Sequence, residues 1–501
     1  MKSAMNVGSV AGELAVLVVH ARVVVGGDDK MQVEFPVSVI LRELERDELL
    51  PAILFRTARK QCDADVESVA RNKNAILTAA QQRRLQDEIQ VVIDKYKFEP
   101  EFITTYPQYQ ALISTGVGAH HAGQLLIWRL LLEELMSRGM LRMMIATGTV
   151  AAGVDFPART VVITAHSKRG SEGFSVLSAA EFQQMAGRAG RRGKDAVGVC
   201  VITPSKFSDA RVLLEVSKRP PEPLRSAYFA APSTVLNLLK YRNVDDLEYT
   251  VERSLAAFLD RKNASGLREQ AIEEQQRIES DSSLKGEKRK KAEKRVRRTL
   301  KEADELDKKQ ETSLHLSLDG LRTLGYVEGG GLTEKGSWAA ELCTSLVLEL
   351  GECIDSKLFD DCALFELVGL VASIAGDPHR PYFKLKQNPI KPALFDAMRG
   401  VVQRIKDSYN GPGKAEVEVL PDAALTVITW MDSETWAEFS GLLRLSGVAD
   451  GDVARLVSQT ADHLNQLTRL EKTHPLLAQS AKVGRSRLLR PPFSESLIPL
   501  D

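Results

Sequence analysis

Four short apolar runs, Ala52–Phe55, Met143–Ala146, Thr160–Ala165 and Val197–Thr203, lack the alternation of a half-exposed strand. Runs of that kind read as strands buried on both faces of a parallel sheet. Between them, Ala58–Arg71, Gln124–Arg138 and Ala179–Met185 carry helical spacing. Strand and helix in alternation predict an open α/β sheet, whose ligands sit beyond the carboxyl ends of the strands. Thr147, Thr149 and Gly153 directly follow the Met143–Ala146 run and so fall on that edge. Leu14–Val25 is β-branched, broken by His20 and Arg22, and reads as a further strand. After Pro204 the pattern turns helical, with amphipathic segments expected at Glu341–Gly351, Leu358–Ala375, Pro392–Ser408, Ala424–Arg444 and Gly451–Leu470. From Arg261 to Ser313 charge dominates, with a basic centre at Lys285–Lys301. That stretch reads as a solvated helical hairpin rather than a dedicated binding site.

Composition narrows the class. A chain of 501 residues has room for three or so domains. Its 67 Lys and Arg balance 67 Asp and Glu, which excludes a uniformly basic nucleic-acid binder but leaves room for a basic channel. The five cysteines show no CxxC spacing, so neither a disulfide framework nor a thiolate metal site is expected, and no metal ligand is assigned. Adjacent His120 and His121 would point oppositely on a strand, which argues against a shared metal. No run approaches membrane-spanning length, and a reducing compartment, cytoplasmic or else nuclear or organellar, is the expectation.

The candidate chemistry lies in Gln184-Met185-Ala186-Gly187-Arg188-Ala189-Gly190-Arg191-Arg192-Gly193, a glycine-spaced run with arginines three apart. A guanidinium is a planar, permanently charged fork of donors suited to phosphate oxygens. Upstream stand Ala146-Thr147-Gly148-Thr149-Val150-Ala151-Ala152-Gly153-Val154-Asp155-Phe156-Pro157 and Gly116-Val117-Gly118-Ala119-His120-His121-Ala122-Gly123. Earlier still, Leu50–Phe55 is followed by Ala58-Arg59-Lys60-Gln61-Cys62. In this order and spacing the four strings resemble the second RecA-like domain of superfamily-two helicases, and more narrowly the superkiller-type DExH-box RNA helicases. Gly451-Asp452-Val453-Ala454-Arg455-Leu456-Val457 and Leu318–Val327 with Leu332–Gly336 resemble parts of that family's C-terminal helical domain, the DSHCT type.

The resemblance implies an α/β RecA-like domain with a parallel sheet, followed by winged-helix and mostly α-helical C-terminal domains. It divides the chain into an unassigned segment 1–40, the second RecA-like domain 41–204, a winged-helix-like region 205–262, a charged stalk 263–313 and a helical domain 314–501. It implies that Arg188 and Arg191 meet the ATP γ-phosphate, with Gln184 coupling nucleotide to the cleft and Gly153 and Asp155 lining it. Thr147, Thr149, Arg59 and Arg455 would contact single-stranded RNA without reading its sequence. Ala58, Asp155, Ser458 and Gln459 depart from residues common at their positions.

No GxxxxGK[ST] loop and no DExH box occurs in the sequence: Gly411-Pro412-Gly413-Lys414 lacks the spacing and Asp87-Glu88-Ile89-Gln90 lacks the histidine. The expectation is half of an ATP-dependent motor that is inactive alone. ATP and Mg2+ would be shared with a first RecA-like domain absent from this chain, through an incomplete gene model or supply by another polypeptide; the partners implied are RNA and that separate domain or an RNA-decay complex. The alternative is a catalytically inactive, helicase-derived RNA-binding or scaffold protein.

Overall fold

Among the described residues, nine strands form in the first part of the chain: β1 (Lys2–Ser9), β2 (Gly12–Val19), β3 (Ala52–Arg56), β4 (Val117–His120), β5 (Met143–Thr147), β6 (Thr160–Ile163), β7 (Ser167–Gly170), β8 (Gly173–Val176) and β9 (Val197–Ile202). The computed structural model describes residues 2–9, 12–19, 34–148, 158–170, 173–191, 193–203, 208–281, 285–383, 388–413 and 416–493, with 2–9, 12–19 and 169–170 as backbone alone. Seven strands make one sheet in the order β1-β2-β9-β6-β3-β5-β4. Every neighbouring pair is parallel except β1 with β2. The four apolar runs are therefore β3, β5, β6 and β9, each ending within three residues of its expected limit.

Both faces are covered, which explains the missing alternation. Ile53, Phe55, Met144, Ala146, Val161 and Ile163 pack into one core with Leu85, Trp128, Leu131 and Phe182. Ala52, Leu54, Met143, Ile145, Val162 and Val201 pack into another with Leu41, Cys62, Val66 and Val69. The helices that cover them are Arg59–Ala70, Ala79–Tyr96, Leu126–Ser137 and Ala179–Ala186, with Val37–Arg46 ahead of β3. Asp87–Gln90 lies within Ala79–Tyr96, a helix opened by a reciprocal cap between Thr78 and Gln81. Within 1–40, Lys2–Ser9 and Gly12–Val19 pair antiparallel, and the second of these strands joins β9.

The chain divides into two compact units, Met1–Pro223 with Ala449–Ala454 and Pro491–Asp501, and Leu224–Val448 with Arg455–Arg490. The second unit is helical, beginning with Pro232–Leu239 and Val244–Glu252. The charged stretch forms two helices, Leu255–Ser280 and Glu287–Asp307, that pack through Ala271, Ile278, Ala292 and Val296. Ion pairs Arg268–Asp304 and Arg295–Glu274 set them antiparallel. Lys309–Thr323 follows, then a two-stranded hairpin of β10 (Val327–Glu328) and β11 (Gly331–Leu332). Beyond Glu334–Ala339 come Val347–Asp355, Leu364–Ala375, Pro392–Ser408, Pro421–Asp432, Trp436–Ser446, Asp450–Thr468 and Pro475–Leu488. The expected single helix Ala424–Arg444 is two helices, because the Thr435 hydroxyl accepts from Glu438 N and starts a new one. No helix among the described residues is long and apolar enough to cross a membrane.

Candidate functional site

The arginine run is built as a capped helix followed by a docked loop. Ser178 Oγ accepts from Glu181 N at 3.1 Å, and Glu181 accepts from Ser178 N at 3.0 Å. The Glu222 carboxylate accepts from Ala179 N and Ala180 N, at 2.9 and 3.1 Å, so a negative charge sits on the helix N-terminus. Those backbone donors lower the pKa of Glu222. Phe182 and Ala186 face the core, which turns Gln183 and Gln184 to the exposed side.

Past the helix, the glycines are a packing requirement. Arg188 O accepts from Ala158 N at 2.9 Å, and Gly190 N donates to Ala158 O at 2.8 Å, a parallel bridge centred on Ala189. Gly190 has φ +92°, and a side chain at Gly198 would stand 2.5 Å from Ala189 O. The loop is thus anchored where β6 and β9 begin, and Arg188 and Arg191 leave it half-buried. Arg191 is then held by Asp195, a residue the motif string does not include. Its Nε donates to Oδ2 at 2.8 Å and its Nη2 to Oδ1 at 2.9 Å, while the Arg191 main-chain N also donates to Oδ2 at 2.9 Å. The Arg191 fork and main-chain N–H, with Arg159 further off, hold the Asp195 carboxyl below its ordinary range against the opposing effect of burial. In return the hydrogen bond to Asp195 raises the Arg191 pKa further. The acid stands four residues after the arginine, across a turn rather than along a helix.

Thr147 ends β5 at the carboxyl edge, level with Arg56 at the end of β3. Because the strands are parallel, that is the edge opposite the one where Arg188–Gly190 dock; the rule that placed Thr147 does not extend to the arginines. A side chain at Gly148 would touch Met185 Cε at 3.5 Å, so the β5 end does reach the helix that leads to Arg188. Thr149, Gly153 and Asp155 lie outside the described residues. Arg56, which no motif singles out, is buried, and its guanidinium pairs with Glu34 and with Asp65, the latter at 2.7 Å.

Arg59 opens its helix and gives Nη1 to Asp452 Oδ1 at 2.7 Å, within the first unit. The resemblance assigned Arg59 to phosphate; in the structure this donor serves a carboxylate. Beside it, Gly451 N donates to Gly123 O at 3.1 Å, and a side chain at Gly451 would lie 2.5 Å from Ala122 O. His121 Nδ1 accepts from Gly123 N at 3.2 Å, which puts the proton of the neutral ring on Nε2, facing Asp63 Oδ1 at 3.0 Å. His120 pairs with Glu133 at 2.6 Å, so the two rings serve different carboxylates. Among the described residues no group of three or more His, Cys, Asp or Glu could hold a metal ion. Arg455 is exposed and belongs to the second unit.

Residues 329–495 match the model of the DSHCT (NUC185) domain. The chloroplastic DExH-box ATP-dependent RNA helicase DExH15 of Arabidopsis thaliana is 35% identical over 204 residues, 40% of this chain and 17% of the relative. The exosome RNA helicase MTR4 of Homo sapiens is 31% identical over 208 residues, 42% of this chain and 20% of the relative. Superkiller complex protein 2 of Homo sapiens is 31% identical over 238 residues, 47% of this chain and 19% of the relative. The matched stretches thus span a fifth or less of these relatives' own length.

Proposed function

Taking the chain as the C-terminal portion of a superkiller-type DExH-box helicase, we propose that it supplies the second RecA-like half of an ATP-dependent RNA helicase acting in RNA processing or decay. The loop Arg188–Asp195 carries the reading: two arginines leave a backbone fixed by Ala158 and Gly198, and one of them is oriented by a two-point carboxylate clamp. Arg188 and Arg191 suit the γ-phosphate of ATP, where such fingers are worth roughly 10³ to 10⁵ in turnover. Gln184, on the exposed side of the same helix, would couple the nucleotide to the cleft, and Gly153 and Asp155 would line it.

Only part of an ATP site is encoded here, since the sequence has no phosphate-binding GxxxxGK[ST] loop and no DExH box to hold Mg2+. ATP with Mg2+ would supply the transferable phosphoryl group, gripped by a first RecA-like domain; this chain's arginines bind and orient its outer oxygens. Thr147 and Thr149 at the sheet edge, Arg59 on its helix, and Arg455 would meet RNA phosphates, positioning the strand without reading bases. For Arg59 that contact requires sharing or release of Asp452.

In the second unit we read a winged helix that is discontinuous. Pro232–Leu239, Val244–Glu252 and Lys309–Thr323 would be its helices and β10–β11 its wing, with the charged hairpin inserted between the second and third.

The test is reconstitution. Adding a first RecA-like domain of a superkiller-type helicase to the purified chain should produce RNA-stimulated phosphate release, and Arg188→Ala or Arg191→Ala should remove it. Turnover indifferent to both arginines would overturn the finger assignment; RNA binding with no turnover from any such domain would favour the scaffold reading.

A further inference from the structure

The helix Glu287–Asp307 presents a line of cations facing directly away from its packing partner. It packs through Ala292, Val296 and Ala303, with half-buried Thr299 in the same row, a spacing of four, three and four residues. Lys290, Lys294, Arg297 and Lys301 repeat that spacing two positions earlier, about 200° around a 3.6-residue helix and so on its outer face. All four are exposed. Lys301 lies 3.3 Å from Glu305, whereas Lys290, Lys294 and Arg297 have no ion pair among the described residues. Exposed Lys291 and Arg298 flank the line.

We infer that this stripe is a docking surface for the phosphodiester backbone of RNA, separate from the sheet-edge contacts. The four cations span about 16 Å of helix at 1.5 Å per residue, a straight row of charge suited to a polyanion in extended form. The stripe itself offers no aromatic or aliphatic anchor at its centre, which a protein interface would need; the exposed Leu300 stands alone to one side of it. The helix Glu287–Asp307 holds nine Lys and Arg against six Asp and Glu, a local excess in a chain that is neutral overall. The hairpin thereby gains a role the charge run alone did not suggest. The inference rests on the RNA part of the functional reading and not on the ATP part.

The experiment measures binding of the full chain to a labelled single-stranded RNA across a salt series. The triple variant Lys290→Gln, Lys294→Gln, Arg297→Gln keeps good helix formers, and circular dichroism checks that the hairpin still folds. Affinity at low salt should fall by about tenfold or more, and the slope of log K against log salt should become shallower by about 2, at roughly 0.7 for each phosphate no longer neutralised. A duplex RNA arm distinguishes the form of the strand: equal losses on both support backbone recognition. An equal loss from Lys357→Gln, Lys472→Gln, Lys482→Gln, or equal competition by polyglutamate, would reduce the stripe to general charge and overturn the proposal. Unchanged RNA binding by the stripe variant, with reconstituted ATP turnover intact, would overturn it while leaving the motor reading in place.

Discussion

Asp195 holds Arg191 by three hydrogen bonds, two to the guanidinium and one to the main-chain N, with both carboxylate oxygens in use. On the proposed role, a long side chain that would meet a phosphate is thus ordered beforehand, which lowers the entropy lost on contact. In the reconstituted ATPase, Asp195→Asn should lower kcat by about tenfold and leave the KM for ATP nearly unchanged, against roughly 10³ for Arg191→Ala. A rise in kcat would mean that the carboxylate restrains the arginine rather than presenting it.

The purified 501-residue chain by itself should release no phosphate from ATP above background, with or without RNA. Turnover in this preparation that disappears on Arg188→Ala would reveal a complete nucleotide site within the chain itself.

Gly198→Ala tests the loop's backbone. The new methyl would meet Ala189 O at 2.5 Å and Gly190 N at 3.0 Å, neither of which can yield without moving the bridge to Ala158. Overpacking of this kind costs roughly 1–3 kcal/mol. Denaturant unfolding should show that loss, and reconstituted turnover should fall although no arginine has changed. An unchanged midpoint would mean the loop is not seated as described.

Glu349 gives the helical unit a pH dependence. It is 4% exposed, and burial raises its pKa from 4.5 to about 7. Between those values the native state holds a proton that the unfolded chain has released, so stability falls as pH rises through this window and levels off above it. Glu349→Gln should flatten the curve relative to the parent and be more stable at about pH 8 by up to roughly 3 kcal/mol. Urea unfolding of both chains at about pH 5 and about pH 8 checks the sign. A difference that shrinks at the higher pH would refute it.

Legibility in the sequence followed locality. β3, β5, β6 and β9 could be read because burial on both faces leaves an apolar run. β4 could not: Val117-Gly118-Ala119-His120 is as short as β6 but too mixed to stand out. β7 and β8 escaped for the converse reason, since Phe174 and Val176 are exposed and record no core. The attachment of β2 to β9 joins residues far apart in the chain, and no local pattern encodes it. The same holds for Arg59 and Asp452, separated by 393 positions. Asp195 differs, because its spacing from Arg191 was visible. The glycine run drew attention to phosphate chemistry and away from the carboxylate that organises it.

The seat of Ala189 on Gly198 constrains how any catalytic cycle could run. Gly198 belongs to β9, a strand flanked on both sides in the sheet, so the arginine loop cannot swing without deforming that strand. Packed interiors resist such deformation. What motion remains is that of side chains, and the Arg191 guanidinium is already held by Asp195. On the proposed reading, a reactive geometry would then be assembled by whole-body approach of a phosphate-binding domain, with the aim of the arginines inherited from the sheet.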